Sequence, residues 1–252
     1  MLNLIKLIMQ HGNQAIHDLR KAKPVDTHRG FPVIEEAKYS GRWQEVAEYC
    51  PTKAITINPV TLDMGKCIFC GECEKISNGA IKFTNTVKLA SEKREGLIIT
   101  QQSKYINYAN EAVKYKNEIH KLFGHSLKLR QVSAAGCNGC EMELAACSNV
   151  NFDMGRFGIE FTASPRHADG IVFTGPISKN MAPALFDAYK SVNDPKIVIA
   201  VGACAISGGV FAESGQVNRE FMRAVKIDLY VPGCPPHPLT FINAVMDLLG
   251  IK

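Results

Sequence analysis

Lys196-Ile197-Val198-Ile199-Ala200-Val201-Gly202-Ala203-Cys204 is the stretch on which the fold of this chain turns. A half-exposed strand would alternate apolar with polar residues. An unbroken apolar run from Ile197 to Val201 instead suits a strand buried on both faces of a parallel sheet. The run stops at Gly202, and a cysteine follows two residues later. The same order recurs where Ile227–Val231 leads into Pro232-Gly233-Cys234-Pro235-Pro236. It recurs again where Leu127–Val132 leads into Gly136-Cys137-Asn138-Gly139-Cys140-Glu141-Met142-Glu143. Further strands are expected at Ile159–Thr162 and Gly170–Thr174, and helices at Cys140–Ser148, Asn180–Val192, Arg219–Val225 and Pro238–Leu249. Strands alternating with helices predict a parallel sheet with helices on both faces.

In that arrangement Cys137, Cys140, Cys204 and Cys234 all lie at carboxyl ends of strands, where open α/β sheets place their ligands. Glycines beside them let the backbone approach closely. The helix start at Cys140 favours thiolates and a net-negative group. Four soft ligands converging on one point are what an iron–sulfur cube requires, one thiolate per iron. A zinc site is the alternative that the same residues allow.

A second set of four precedes it: Cys50, and Cys67-Ile68-Phe69-Cys70-Gly71-Glu72-Cys73. Cys-x2-Cys-x2-Cys is the ferredoxin spacing, which in two-cluster ferredoxins is completed by a remote Cys-Pro. Cys50-Pro51 supplies it here and favours a cube over a zinc ribbon. Residues 48–57 and 74–83 read as a degenerate repeat of helix end, turn and short strand. Counting back from Cys50 puts Ser40, Trp43 and Val46 where a first triplet would sit, and the repeat aligns Ile76 with Cys50. All four ligands of one cluster are thus absent together, and Trp43, the only tryptophan, is expected to fill the space.

The 252 residues carry a formal net charge of +5 and 46% hydrophobic residues. That is an ordinary globular composition. The mild basic balance is spread out and gives no reason to expect nucleic acid; it suits an acidic partner or a negative membrane surface. No apolar run reaches transmembrane length, and Met1–Met9 lacks the cleavage site of a secretory signal. Nine cysteines in such a chain read as metal ligands before disulfides. Residues 1–18 form a candidate amphipathic helix, either packed on its own chain or contacting a membrane surface or partner. Cys147 has no ligand spacing and reads as a buried structural thiol. Phosphate loops, hydrolase triads, dinucleotide fingerprints and nickel-ligand cysteine pairs are not found.

The N-terminal part resembles the ferredoxin-type subunit of energy-converting hydrogenases and of respiratory complex I, including Met1-Leu2-Asn3-Leu4-Ile5-Lys6 and Arg29-Gly30-Phe31-Pro32-Val33-Ile34. One cluster of that family's usual pair is missing. Residues 127–252 are similar to the small subunit of group 4 nickel–iron hydrogenases and to the complex I 20 kDa subunit. The likeness rests on Cys137-x2-Cys140-x2-Glu143, Ser164-Pro165-Arg166-His167-Ala168-Asp169, Lys179-Asn180-Met181-Ala182-Pro183-Ala184-Leu185, Gly202-Ala203-Cys204 and Val231–Pro236. In complex I the first two cysteines are adjacent; their separation here is the hydrogenase-like form.

Lys and Glu alternating with apolar residues read as a helical linker over 91–126, with one helix near Tyr105–Leu122 that ends at Gly124. On either side of it the resemblance implies an α+β ferredoxin-like domain over residues 1–90 and an α/β flavodoxin-like domain over 127–252. It implies two [4Fe–4S] clusters, one on Cys50, Cys67, Cys70 and Cys73 and one on Cys137, Cys140, Cys204 and Cys234. Such a chain would be the electron-transfer subunit of a membrane-associated energy-converting hydrogenase. It would sit peripherally on the cytoplasmic face of the membrane, between a ferredoxin or dehydrogenase donor and a catalytic large subunit docked on membrane-arm subunits. A complex-I-like oxidoreductase without nickel is one alternative, and a redox-sensing iron–sulfur protein another. Glu143, Arg166 and His167 are candidate neighbours of the second cluster; a first-turn helix carboxylate, an interface arginine and a surface histidine are their structural alternatives.

Overall fold

A computed structural model describes residues 2–12, 14–113, 117–124 and 126–251. The chain runs α1 (Leu2–His11), β1 (Pro32–Ile34), α2 (Trp43–Glu48), β2 (Ile55–Thr56), β3 (Thr61–Asp63), α3 (Glu72–Ile76), β4 (Ile81–Phe83), β5 (Ile98–Thr100), α4 (Tyr105–Glu111) and α5 (Asn117–Phe123). It continues as β6 (Leu127–Ser133), α6 (Gly139–Ala146), β7 (Ile159–Phe161), β8 (Gly170–Thr174), α7 (Ala182–Ser191), β9 (Ile197–Val201), α8 (Ala203–Ser207), α9 (Glu220–Ala224), β10 (Leu229–Val231) and α10 (Pro238–Leu249).

The expected parallel sheet is present. Five strands lie in the order β10-β9-β8-β6-β7, every neighbouring pair parallel. Renumbered along the sheet's own strands this is the flavodoxin-like order 2-1-3-4-5. Every residue of β8 and β9 is buried. Alternate side chains enter two separate cores: Ile171, Phe173, Val198 and Ala200 on one face, Val172, Ile197, Ile199 and Val201 on the other. Burial on both faces is why these strands could not alternate with polar residues.

On the second face α10 is the largest contributor, with every residue but Asp247 buried. Its ends follow from sequence. Pro238 opens the helix, His237 Nδ1 accepts the Leu239 N–H at 3.1 Å, and Gly250 closes it at φ 69°. Buried Asn243 donates to the carbonyls of Leu239 (2.8 Å) and Leu19 (3.2 Å), which straps the N-terminal segment across the helix.

The N-terminal part covers the first face. It comprises two strand–helix–strand units, β1-α2-β2 and β3-α3-β4. The outer strands β1 and β4 pair antiparallel, as do the inner strands β2 and β3. Leu62, Met64, Leu97 and Ile99 from this part share one continuous core with Ile171, Phe173, Ile206 and Phe221 of the parallel sheet. The segment expected as a helical connection holds β5, which joins β3. Its Ser91 exchanges main-chain hydrogen bonds with Tyr230 of β10 at 3.0 and 2.8 Å. The single helix expected over Tyr105–Leu122 appears as α4 and α5; residues 114–116 between them lie outside the described residues, as do Met1 and Asn13 of the expected N-terminal helix. Within α1, Asn3–His11 are exposed, so these residues do not pack on their own chain.

Candidate metal centres

The cysteines lie in two regions of the molecule. No cysteine is in a disulfide. Cys50, Cys67, Cys70 and Cys73 line one hollow together with Pro51, Ala54, Ile55, Leu62, Ile68 and Phe83, enclosing about 330 Å³ including its open mouth. The loop that delivers three of them turns through left-handed backbone at Phe69 (φ 54°) and Gly71 (φ 82°). A side chain at Gly71 would strike the Arg29 guanidinium, which in turn donates to the Phe69 carbonyl at 3.2 Å. Main-chain N–H groups already aim at the sulfurs. Ala54 N–H donates to Cys50 Sγ and Phe69 N–H to Cys67 Sγ, both at 3.2 Å, and the Glu74 N–H reaches Cys73. Such donors stabilise thiolates and cluster sulfur.

Cys137, Cys140, Cys204 and Cys234 come together past the carboxyl ends of β6, β9 and β10. Cys140 feels the charges of the other three as well as that of Glu141. Two glycines leave the room. A Cβ on Gly202 (φ 90°) would stand 2.5 Å from Cys140 Sγ, and one on Gly209 (φ 53°) 2.8 Å from Cys204 Sγ. The group is open: Cys137 and Cys234 are exposed. Exposed Met142, Val210 and Phe211 lie beside it in sequence or space; the Phe211 ring lies 3.8 Å from the position of a Cβ on Gly136, next to Cys137.

Burial, with the neighbouring thiols, pushes Cys73 and Cys140 up to about 12 and Cys204 to about 11, and raises Cys67 and Cys234 too. Those five bare thiols are therefore neutral at pH 7. A bound cation must displace their protons, as metal binding to cysteine does. Among the described residues no three of His, Cys, Asp or Glu converge closely enough to hold one metal ion. Four thiols around one hollow with N–H donors to sulfur in the first group, and four thiols with glycines where a Cβ would strike sulfur in the second, fit the ligands of an iron–sulfur cluster.

Between the two groups lies a second hollow, of about 560 Å³. It is bounded by Ile68 and Phe69 of the first cysteine loop and by Pro232–Pro236 of the second. His28 and His237 meet edge to face there, ring centroids 5.4 Å apart, and burial, helped by His28, lowers His237 to about 4.

Cys147 is buried, its thiol donating to the Glu143 carbonyl at 3.3 Å and facing Pro238 O at 3.9 Å, as expected of a structural thiol. Glu143 is half-buried, and burial raises its pKa. Arg166 and His167 are exposed, in a turn that leads into the amino end of β8, whereas the cysteines lie past carboxyl ends.

The vacated half of the repeat needs one correction. Buried Ser77, not Ile76, occupies the place of Cys50. Ser77 Oγ accepts the Ile81 N–H at 3.0 Å, as Cys50 Sγ accepts that of Ala54, each four residues on. A spacing of Cys73 to Ser77 equal to Val46 to Cys50 could have revealed it. Val46 is buried, Trp43 is half-buried with its ring 5.1 Å from Tyr39, and Ser40 is exposed. The space is filled by apolar groups, but Trp43 only partly enters it.

No sequence pattern marks Arg219. It is half-buried and donates to four main-chain carbonyls, those of Pro176 and Cys204 (both 3.3 Å), Ala205 (2.8 Å) and Ile206 (2.7 Å). Glu141 is equally unmarked; its Oε1 accepts from Thr174 Oγ1 at 2.6 Å, tying the cysteine helix to the end of β8.

Residues 137–248, which include all four cysteines of the second group, match the family described as NADH ubiquinone oxidoreductase, 20 kDa subunit. A probable membrane-bound hydrogenase subunit of Pyrococcus furiosus is 39% identical over 129 residues, 51% of this chain and 77% of that one. Formate hydrogenlyase subunit 7 of Escherichia coli is 40% identical over 54% of this chain and 53% of its own length. A subunit of the NADH-quinone oxidoreductase of Geotalea daltonii is 44% identical over 43% of this chain and 64% of its own. The chain belongs to the family of the NADH ubiquinone oxidoreductase 20 kDa subunit.

Proposed function

We propose that this chain is the electron-transfer subunit of a membrane-associated, energy-converting oxidoreductase of the hydrogenase type. Its N-terminal part is read as a ferredoxin-like unit, fused to the small-subunit domain. Cys50, Cys67, Cys70 and Cys73 would hold one [4Fe–4S] cluster, and Cys137, Cys140, Cys204 and Cys234 another. When bound, such clusters each store and release one electron.

The observation that carries the reading is the pairing of two four-cysteine groups, one around a hollow and one with Cys137 and Cys234 exposed, on parts of the chain that share a continuous core. The first group suits an internal relay, since its N–H donors are in place and none of its four cysteines is exposed. The open group leaves Cys137 and Cys234 at the surface among exposed Met142, Val210 and Phe211. Such a face suits a catalytic large subunit that would exclude water on docking. Phe69 and the Pro232–Pro236 loop line the same hollow, so the two cysteine loops border one space. No helix among the described residues is long and apolar enough to cross a membrane; in this reading membrane-arm subunits supply attachment, from the cytoplasmic side. The donor is read as a reduced ferredoxin or a dehydrogenase subunit.

Anaerobically purified full-length chain should contain about eight iron and eight acid-labile sulfide. Zinc as the main metal, without broad visible absorption, would overturn the reading. The 44% identity over 109 residues to a quinone oxidoreductase subunit, beside the 39–40% over 129 and 136 residues to hydrogenase-type subunits, keeps open a second reading, a complex-I-like enzyme without nickel. Nickel content and the cysteines of the co-purifying large subunit separate the two.

A further inference from the structure

We propose that Arg219 is the fixed counter-charge of the second cysteine group, and that it sets how readily a cluster held there accepts an electron. This rests on the reading that Cys137, Cys140, Cys204 and Cys234 hold such a cluster.

Four features of the molecule lead to it. Arg219 bonds the main chain of a cysteine ligand: its guanidinium donates to the Cys204 carbonyl and to the next two carbonyls of α8, and a fourth bond to Pro176 O ties this helix to the loop after β8. Those bonds engage both terminal nitrogens but leave the charge. Carbonyl oxygens carry partial negative charge only, and among the described residues Arg219 makes no ion pair with a carboxylate. Its cationic neighbours are Arg94 and Arg223, and the group beside it that can become anionic is Cys204, whose thiol loses its proton when a cation binds. Finally, the other cations near this region are spoken for or exposed. Arg94 is held bidentate by Asp63 at 2.8 and 2.6 Å, and Arg223 is exposed.

A half-buried guanidinium without an anion is costly. Guanidinium does not deprotonate at physiological pH, so the molecule must balance it another way. Four thiolates on an iron–sulfur cube leave a net-negative group, and reduction adds one more negative charge. A cation fixed on the ligand's own backbone favours the reduced form and raises the potential. Arg219 is thus a positioning residue with an electrostatic output; it does not touch the cluster's iron.

The test is a potentiometric titration of the full-length chain, poised with dithionite and mediators and followed by electron paramagnetic resonance. Cys204→Ser identifies which signal belongs to the second group. In Arg219→Gln that cluster should become about tenfold less reduced at fixed potential, about 59 mV for one electron, while the other cluster stays put. Arg219→Lys keeps the charge but not the four-carbonyl fork, and should stay close to the parent. If Arg219→Gln loses the cluster, retention of cluster and potential in Arg219→Lys still supports the charge role. An unmoved potential in Arg219→Gln overturns the proposal, as does an equal shift or equal cluster loss in Arg219→Lys. Parent protein with only one cluster and four iron would instead remove the reading beneath it.

Discussion

The two cysteine groups make the same demand and meet it by different means. The first is built from local sequence: three ligands within seven residues, on one loop wound by left-handed Phe69 and Gly71, and closed by Cys50 from the neighbouring unit. The second takes ligands from three loops spread over nearly a hundred residues of chain and aligned only by the parallel register of β6, β8, β9 and β10. A local site can be lost or kept with its own short unit. A site assembled by a sheet is tied to the fold of the sheet. The twin halves of the N-terminal repeat make the first point. One half keeps its cysteine at Cys50, and the other has Ser77 in the same hydrogen-bonded place with the core closed over by Val46 and Trp43.

That contrast breaks most sharply under mutation of the second group. Cys234→Ser should remove about half the iron, from about eight to about four per chain, and destabilise the C-terminal part, because cluster binding and folding are linked. Gly202→Ala should act alike without touching a ligand, since its Cβ would stand 2.5 Å from Cys140 Sγ at a φ of 90°. Loss of only the first cluster in either variant would reverse the comparison. Iron analysis and thermal unfolding read both.

A smaller effect probes the vacated half. Trp43→Ala should cost on the order of 2 kcal/mol, below the roughly 3–5 kcal/mol of a fully enclosed aromatic, because Trp43 is half-buried. Iron content should hold. An unchanged Tm would place Trp43 outside the core. Ser77→Ala, which strands the buried Ile81 N–H, should cost about 1–3 kcal/mol, whereas Ser77→Cys should be tolerated.

Acidification tests the hollow between the groups. His237 is neutral in the fold, its pKa held near 4, while the unfolded chain protonates it near about 6.5. Between those values the unfolded state binds the extra proton, so stability present above about pH 6.5 drains as pH falls toward 4. The expected loss is on the order of 1–2 kcal/mol, flattened in His237→Asn, which can still cap α10. A Tm that falls equally in parent and variant over this range would assign the effect elsewhere. Least of all should Cys147→Ser matter: iron unchanged, with about 1 kcal/mol lost from a buried thiol packed between α6 and α10. Iron loss there would show the ligand sets to be misassigned.

Sequence alone determined the parallel sheet and set out two groups of four cysteines as candidate ligands. Apolar runs such as Ile197–Val201 have no stable place outside a doubly covered strand, and Cys-x2-Cys spacing with glycine beside it is a local constraint written in the chain. The fold boundaries that were legible, β8 and α10 above all, are those with strong local punctuation. Tertiary structure decided what local pattern could not carry. It welded the N-terminal units into the core of the sheet through Leu62, Leu97, Ile171 and Phe221, and it put β5 where only a connection was expected. Arg166 and His167 came to lie exposed before β8. Arg219, in an unmarked Asn218-Arg219-Glu220 stretch, was set on the carbonyls of the Cys204 helix. The reason is physical: the partners of Arg219 are main-chain oxygens, which every residue possesses, so nothing in a sequence announces them until the chain has folded.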